Sequence, residues 1–232
     1  MESTGSEDRS PIVLNRGNII APPRTFRYGW IQRVANTLLR MIGWKVVGNW
    51  PRPRKVVFLV APHTSNWDMP IGLCAGFSSG VLRHWPYGFM MKDSMFRGPL
   101  GPVMKRLGGL AIDRTNPHDV VQQMADVFAA HDDFLLAVTP EGTRSRRDYW
   151  KSGFYHIALG AGIPIIPVSF DYAHREVGLA DPVILSGDRE ADLELFRRFY
   201  AGVTARRPEN FGPVRFRPAP QGPTTGTTRN HR

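Results

Sequence analysis

The fold of this chain is constrained above all by an alternation, between residues 56 and 170, of short apolar runs with segments of helical periodicity. Several runs are apolar throughout, which is typical of strands covered on both faces of a sheet. They predict strands at 56–61, 87–91, 110–112, 134–138 and 163–170. Helices are predicted at 68–81, 98–107, 117–130, 153–161 and 189–204. This alternation favours an α/β fold with a mostly parallel central sheet flanked by helices.

The domain organisation follows from length and composition. The chain has 232 residues, of which 42% are hydrophobic, enough for one sizeable core. Residues 1–25 and 217–232 are polar, aperiodic and rich in Pro, Gly and Thr, and we expect both to be disordered tails. No internal repeat or long linker interrupts residues 26–216. A single domain over 26–216 is therefore expected.

Residues 26–50 have the pattern of an amphipathic helix. Three arginines, Arg27, Arg33 and Arg40, fall on one half of the helical wheel. The apolar residues at helical spacing are Trp30, Ile31, Val34, Leu38, Met41 and Ile42. Such a helix either packs its apolar side against the domain or lies on a membrane surface, and its tryptophans and arginines favour anionic lipid.

Net charge and cysteine content indicate which partners the protein attracts and in which compartment it lies. A formal net charge of +10 implies a surface that attracts nucleic acid, anionic lipid, coenzyme A phosphates or an acidic carrier protein. The single cysteine, Cys74, cannot form an intramolecular disulfide. No apolar signal segment opens the chain, and the longest uncharged stretch, 69–82, is shorter than the about 20 residues of a membrane span. We expect a cytoplasmic protein, peripheral on the inner face of the cell membrane.

His63 and Asp68 directly follow the predicted strand 56–61. A strand–turn–helix of this length can fold the Asp68 carboxylate onto one imidazole nitrogen, so that the other nitrogen can accept a proton. The arrangement predicts a general base with its orienting carboxylate. The alternative is a histidine satisfied in a turn and an aspartate that caps the following helix.

Two further strand ends carry polar residues. The loop 139–145 follows strand 134–138, and its Arg144 has a planar fork suited to phosphate, although a solvated basic loop is the alternative. Strand 110–112 leads into Asp113 and Arg114, which could also be an ion pair that closes a turn. Because carboxyl ends of parallel strands share one edge of a sheet, these residues predict a pocket for an anionic, proton-donating acceptor.

Four blocks of the sequence together resemble those of the glycerolipid acyltransferase superfamily, which includes 1-acyl-sn-glycerol-3-phosphate acyltransferases. The blocks are HTSNWD at 63–68, GLAIDR at 109–114, PEGTRS at 140–145 and IPIIPV at 163–168. Their order and spacing are far more specific than any single block. The chain departs from the usual pattern at Ala111 and Thr139, where the family commonly has aromatic residues, and this affects which acceptor fits.

The resemblance implies an O-acyltransferase that works without an acyl-enzyme. His63, oriented by Asp68, would deprotonate an acceptor hydroxyl that attacks the thioester of acyl-CoA or acyl-carrier protein. The acceptor is expected to be a phosphate-bearing lysolipid. Its phosphate would be held by Arg114, Glu141, Gly142, Thr143 and Arg144, with Asn66, Asp113 and Ser145 in support. No cofactor beyond the acyl thioester co-substrate is expected.

Two rival functions start from other features. The sequence Gly76–Phe77–Ser78–Ser79–Gly80 fits the Gly-x-Ser-x-Gly pattern of a serine hydrolase with Ser78 as nucleophile, and Asp171 and His174 follow later. The net charge would also permit a nucleic-acid-binding module. Against them, residues 69–82 favour one helix, and the arginines are dispersed without a nucleic-acid-binding signature, so nucleic acid is not an expected partner. No metal site is predicted, because no His/Cys cluster has ligand spacing.

Overall fold

The computed structural model describes residues 12–20, 29–99, 101–112 and 117–218. The helices are α1 (Trp30–Met41), α2 (Asp68–Ser79), α3 (Val81–His84), α4 (Gly101–Arg106), α5 (Pro117–Ala130), α6 (Gly153–Ala161) and α7 (Arg189–Ala201). The strands are β1 (Lys45–Gly48), β2 (Lys55–Ala61), β3 (Tyr87–Lys92), β4 (Gly109–Ile112), β5 (Phe134–Val138), β6 (Ile165–Asp171) and β7 (Glu176–Leu179). Short 3-10 turns lie at Asp93–Phe96 and Pro208–Asn210.

The strands form one sheet in the order β1-β7-β6-β2-β5-β3-β4. Every neighbouring pair is parallel except β6 and β7, which are antiparallel. This confirms the α/β class with a mostly parallel sheet. The central strands β2, β5 and β6 are mostly apolar because helices cover both of their faces.

Successive residues of β2 serve two separate cores, as the period of two in a strand requires. Val57 and Leu59 pack with α5, α6 and α7, where Tyr155 and Phe196 are almost fully buried. Val56 and Phe58 point to the other face and pack with α1, α2 and α3. Each such buried side chain contributes roughly 1.5–3 kcal/mol of hydrophobic stabilisation. The cores hold the carboxyl end of β2 rigidly at the sheet edge.

The prediction of one helix over 26–50 was wrong for its second half. The helix ends at Met41, and Gly43 adopts the left-handed conformation that commonly ends helices. Lys45–Gly48 then pairs with Glu176–Leu179 as a parallel strand. Neither β1 nor β7 was predicted, because each is only four residues long and lies at one margin of the sheet.

The N-terminal tail predicted over 1–25 was wrong for residues 12–20, which pack against the sheet. Ile19 forms a β-bridge with Val47, and Ile20 is buried. Arg16 forms ion pairs with Asp171 at 3.0 Å and Glu176 at 3.2 Å. Long-range contacts of this kind leave no local periodicity in the sequence. The rest of the predicted N-terminal tail, and residues 219–232 of the C-terminal one, lie outside the described residues.

Helix α1 turns a mixed polar and apolar side toward the domain and leaves most of its large apolar residues exposed. Gln32, Ala35 and Leu39 are buried. Gln32 Nε2 donates to the carbonyl oxygen of Ser78 in α2 at 2.9 Å. The exposed apolar residues of this segment are Trp30, Ile31, Val34, Leu38, Met41 and Ile42. In the described part of the chain, no helix combines the length and apolar character needed to cross a membrane.

Candidate active site

His63 lies just beyond β2, and Asp68 is the first residue of α2. Nδ1 of His63 is 3.1 Å from Oδ2 of Asp68, whose side chain is 1% exposed, whereas the imidazole is 18% exposed. With Nδ1 donating to the carboxylate, Nε2 is the nitrogen that can accept a proton from a substrate. One strand–turn–helix segment thus brings a base and its orienting carboxylate together.

The Asp68 carboxylate is held by further donors. Its Oδ2 accepts the backbone N–H groups of Thr64 at 2.9 Å and Ser65 at 2.8 Å. Its Oδ1 accepts the Tyr172 hydroxyl at 2.5 Å. Burial, and then the hydrogen bond to Asp68, raise the pKa of Tyr172 well above its ordinary value, so the phenol remains a donor. These donors replace the water that a buried carboxylate loses and fix its orientation.

Glu141, in the loop after β5, approaches His63 from the backbone side. Both of its carboxylate oxygens accept the backbone N–H of His63, at 3.0 and 3.1 Å. The residue is 3% exposed, and burial raises its pKa to about 7 against the opposing effect of the His63 hydrogen bond. The side chain that was expected to contact the acceptor phosphate therefore holds the His63 backbone instead.

The residues after Glu141 form a tight exposed loop. Gly142 adopts a φ of +64°, and a Cβ there would lie 2.8 Å from the Lys151 side chain, so the position needs glycine. Thr143 is half-buried, and its Oγ1 accepts the backbone N–H of Ser145 at 3.4 Å. Arg144 and Ser145 are exposed. The loop presents the Arg144 guanidinium on the surface, three residues from the Glu141 contact with His63.

The other predicted site residues are less closely connected to the pair. Asn66 is exposed in the turn between His63 and Asp68. Asp113 and Arg114 lie outside the described residues. They follow β4, the edge strand, which β3 and β5 separate from β2.

Three residues near the pair were not predicted from the sequence. Tyr172 follows the last residue of β6 and could have been found as another strand-end residue. Arg207 donates its backbone N–H to Thr64 Oγ1 at 3.3 Å, and the Arg206 guanidinium lies 5.6 Å from the centroid of the Tyr172 ring. No sequence signal marks the two arginines, because they lie in an irregular segment far along the chain.

The serine hydrolase arrangement is not assembled. Ser78 lies inside α2, not at a strand-to-helix turn, and its Oγ donates to Asn36 Oδ1 of α1 at 2.6 Å. Asp171 and His174 contact each other at 2.8 Å in the turn between β6 and β7. Ser78 therefore connects two helices. Over the described ranges, no group of three or more His, Cys, Asp or Glu side chains could hold a metal ion.

Comparisons with known proteins find one family model and several similar proteins. The family model described as Acyltransferase matches residues 44–171. Similar proteins include the 1-acyl-sn-glycerol-3-phosphate acyltransferases of Haemophilus influenzae, 26% identical over 72% of this chain and 77% of the relative, and Escherichia coli, 30% identical over 52% and 49%. That of Limnanthes douglasii is 32% identical over 49% of this chain and 42% of the relative.

No solved structure matches the chain significantly. This chain spans about three quarters of the Haemophilus relative and about half of the Escherichia one. The matched residues 44–171 run from the start of the sheet to the end of β6 and include His63, Asp68 and Glu141. Since this match covers more than half of the chain, the protein belongs to the acyltransferase family.

Proposed function

We propose that the protein transfers a fatty acyl group from an acyl thioester to the hydroxyl of 1-acyl-glycerol-3-phosphate, with His63 as general base. The observation that carries the proposal is the 3.1 Å contact between His63 Nδ1 and the buried Asp68 carboxylate. The acceptor is taken from the names of the relatives in Haemophilus, Escherichia and Limnanthes. The thioester is that of acyl-CoA or acyl-carrier protein, and no other cofactor is needed.

The proton moves in two steps. Nε2 of His63 takes the proton of the acceptor hydroxyl as its oxygen attacks the thioester carbonyl carbon. The resulting tetrahedral intermediate collapses to an ester and expels the thiolate, which receives the proton from the imidazolium. Asp68 stabilises that imidazolium and keeps Nε2 aimed at the substrate, while binding both substrates side by side removes much of the entropic barrier.

The acceptor phosphate is assigned to the loop after Glu141, with Arg144 as its principal ligand. The guanidinium is exposed and offers two parallel donors to a phosphate. The Gly142 N–H already donates to the Thr139 carbonyl at 3.2 Å, so Gly142 contributes close approach and Thr143 a hydroxyl. Arg114, which lies outside the described residues, is proposed as a second phosphate ligand.

The exposed side of α1 supports peripheral attachment to the inner face of the cell membrane. Trp30 is 74% and Met41 77% exposed, although both are apolar. Exposed apolar residues beside Arg33 and Arg40 suit the headgroup layer of anionic lipid. The buried side of α1 is bonded to α2, the helix that begins at Asp68, through Gln32 and Asn36, so a membrane-bound α1 would hold the site at a fixed distance from its lipid acceptor.

The membrane proposal is tested by flotation with vesicles that contain or lack anionic phospholipid. Trp30→Ser with Met41→Ser should reduce binding to anionic vesicles by about 10-fold or more, since each buried apolar side chain contributes roughly 1.5–3 kcal/mol. Val103→Ser, at an exposed apolar residue of α4, is the matched control. Equal binding by the double variant and the wild type would refute attachment through α1.

The acyl transfer is tested with purified protein, acyl-CoA or acyl-carrier protein, and a panel of lysolipids, with products identified by mass spectrometry. We expect a diacylglycerol phosphate as the main product. His63→Ala should lower the rate by about 10²- to 10⁴-fold, the usual contribution of a general base. If Ser78→Ala abolishes activity and His63→Ala does not, the protein is a hydrolase and the proposal fails.

A further inference from the structure

A groove of about 770 Å³ opens beside Tyr172. Its lining includes the apolar and aromatic residues Ile42, Trp44, Trp67 and Ile71. It also includes the cationic residues Arg175, Arg206 and Arg207. A groove lined by both kinds of residue suits a ligand that has an apolar or aromatic part and an anionic group.

The charges of Arg206 and Arg207 are not compensated by the described part of the protein. Both side chains are exposed, and among the described residues neither forms an ion pair with a carboxylate. The Arg206 guanidinium lies 5.6 Å from the centroid of the Tyr172 ring, and the backbone N–H of Arg207 donates to Thr64, so both residues are anchored beside the catalytic pair. Arg175 differs, since its guanidinium donates to the Ile42 carbonyl at 3.4 Å.

The groove and the loop after Glu141 reach the catalytic pair through different neighbours. Tyr172 lines the groove and donates to Asp68, whereas Glu141 accepts from the backbone of His63. The proposed reaction joins two anionic substrates, so it needs two sites of positive charge next to one base. Because Arg144 is assigned to the acceptor, the second site is left for the donor.

We propose that this groove binds the donor as acyl-CoA, with Arg206 and Arg207 on its phosphates and the exposed Trp67 ring beside its adenine. The inference rests on the proposed function and deepens it. The groove has the volume of a small-molecule site, whereas a folded carrier protein needs roughly 800 Å² of surface per partner. The indole of Trp67 is 61% exposed and offers a flat face on which a purine can stack.

The test uses the double variant Arg206→Ala/Arg207→Ala and two donors, palmitoyl-CoA and palmitoyl-pantetheine, which lacks the nucleotide. Loss of the phosphate contacts should lower kcat/KM for palmitoyl-CoA by about 10- to 100-fold. It should change the value for palmitoyl-pantetheine by less than about threefold and leave the KM of the acceptor unaltered. Arg144→Ala should do the reverse, raising the KM of the acceptor with either donor.

The matched control is Lys105→Ala/Arg106→Ala, which removes two exposed charges from α4, at the opposite edge of the sheet. It should leave both donors unaffected. Free coenzyme A is titrated in parallel by calorimetry, so that binding is measured without turnover. If the wild type binds coenzyme A and the double variant does not, the groove assignment stands even when no acyl transfer is detected, and only the proposed function fails.

Three results would overturn the inference. The first is an equal fall in kcat/KM with palmitoyl-CoA and palmitoyl-pantetheine, or a raised KM of the acceptor. Either would show that the two arginines bind the acceptor and not the nucleotide of the donor. The second is equal binding of coenzyme A by the wild type and the Arg206/Arg207 variant, or no binding by either. The third comes from the same assay repeated with palmitoyl-carrier protein: a loss confined to this donor would show that the carrier protein, and not coenzyme A, binds there.

Discussion

Two buried carboxylates hold the same histidine, and their surroundings differ. Asp68 contacts the imidazole of His63 and also accepts two backbone N–H groups and the Tyr172 hydroxyl. Glu141 receives backbone N–H groups of His63 and of its own residue, and burial raises its pKa to about 7. The two carboxylates are thus buried to a similar degree, but Asp68 is surrounded by more hydrogen-bond donors than Glu141. The donors around a buried carboxylate, and not its depth alone, decide how fully its oxygen atoms are hydrogen-bonded.

The strongest test of this comparison is Asp68→Asn, which keeps the shape of the Asp68 side chain but removes its negative charge. An amide cannot stabilise the imidazolium and permits the wrong tautomer of His63. We expect kcat to fall by about 10³- to 10⁴-fold, as for other orienting carboxylates. The measurement is the rate of acyl transfer at saturating acyl-CoA and 1-acyl-glycerol-3-phosphate. A fall of less than tenfold would show that the carboxylate does not orient the base.

Glu141→Gln tests the other carboxylate through the pH dependence of stability. The folded pKa of about 7 lies above the ordinary 4.5, so the folded state binds the extra proton between these values. The free energy of unfolding of the wild type therefore falls by about 3 kcal/mol as pH rises from 4.5 through 7. In Glu141→Gln the side chain at position 141 does not titrate, so this variant should lack the fall in the free energy of unfolding. Urea denaturation of both proteins at pH 5 and pH 8 measures it, and equal changes in the two would contradict the burial effect.

Tyr172→Phe removes one donor from Asp68 and should have the smallest effect. Two backbone N–H groups and His63 still hold the carboxylate. We expect kcat to fall by about 5- to 10-fold, and the free energy of unfolding by about 1 kcal/mol, the contribution of one hydrogen bond. A loss as large as that of Asp68→Asn would mean that Tyr172 acts on the substrate itself.

The strands and helices that were predicted well are those with strong local patterns. Phe134–Val138, Pro117–Ala130 and Gly153–Ala161 have the predicted bounds, because continuous apolar runs and helical periodicity are properties of neighbouring residues. The strand β1 was missed since its pairing with β7 joins residues far apart along the chain. Residues 12–20 were taken for a tail because their ion pairs with the β6–β7 region are equally distant.

The sequence by itself determined strands β2 to β6, the carboxyl edge of the sheet and the pairing of His63 with Asp68, because a strand, a six-residue turn and a helix start lie within one short segment. Only the tertiary structure decided that Glu141 and Tyr172, 78 and 104 residues from their partners, hold that pair. It also decided which side of α1 is covered. Periodicity defines the two sides of a helix, but the packing partner selects one of them, and here α2 bonded the side that carries Gln32 and Asn36 and left Trp30 and Met41 exposed.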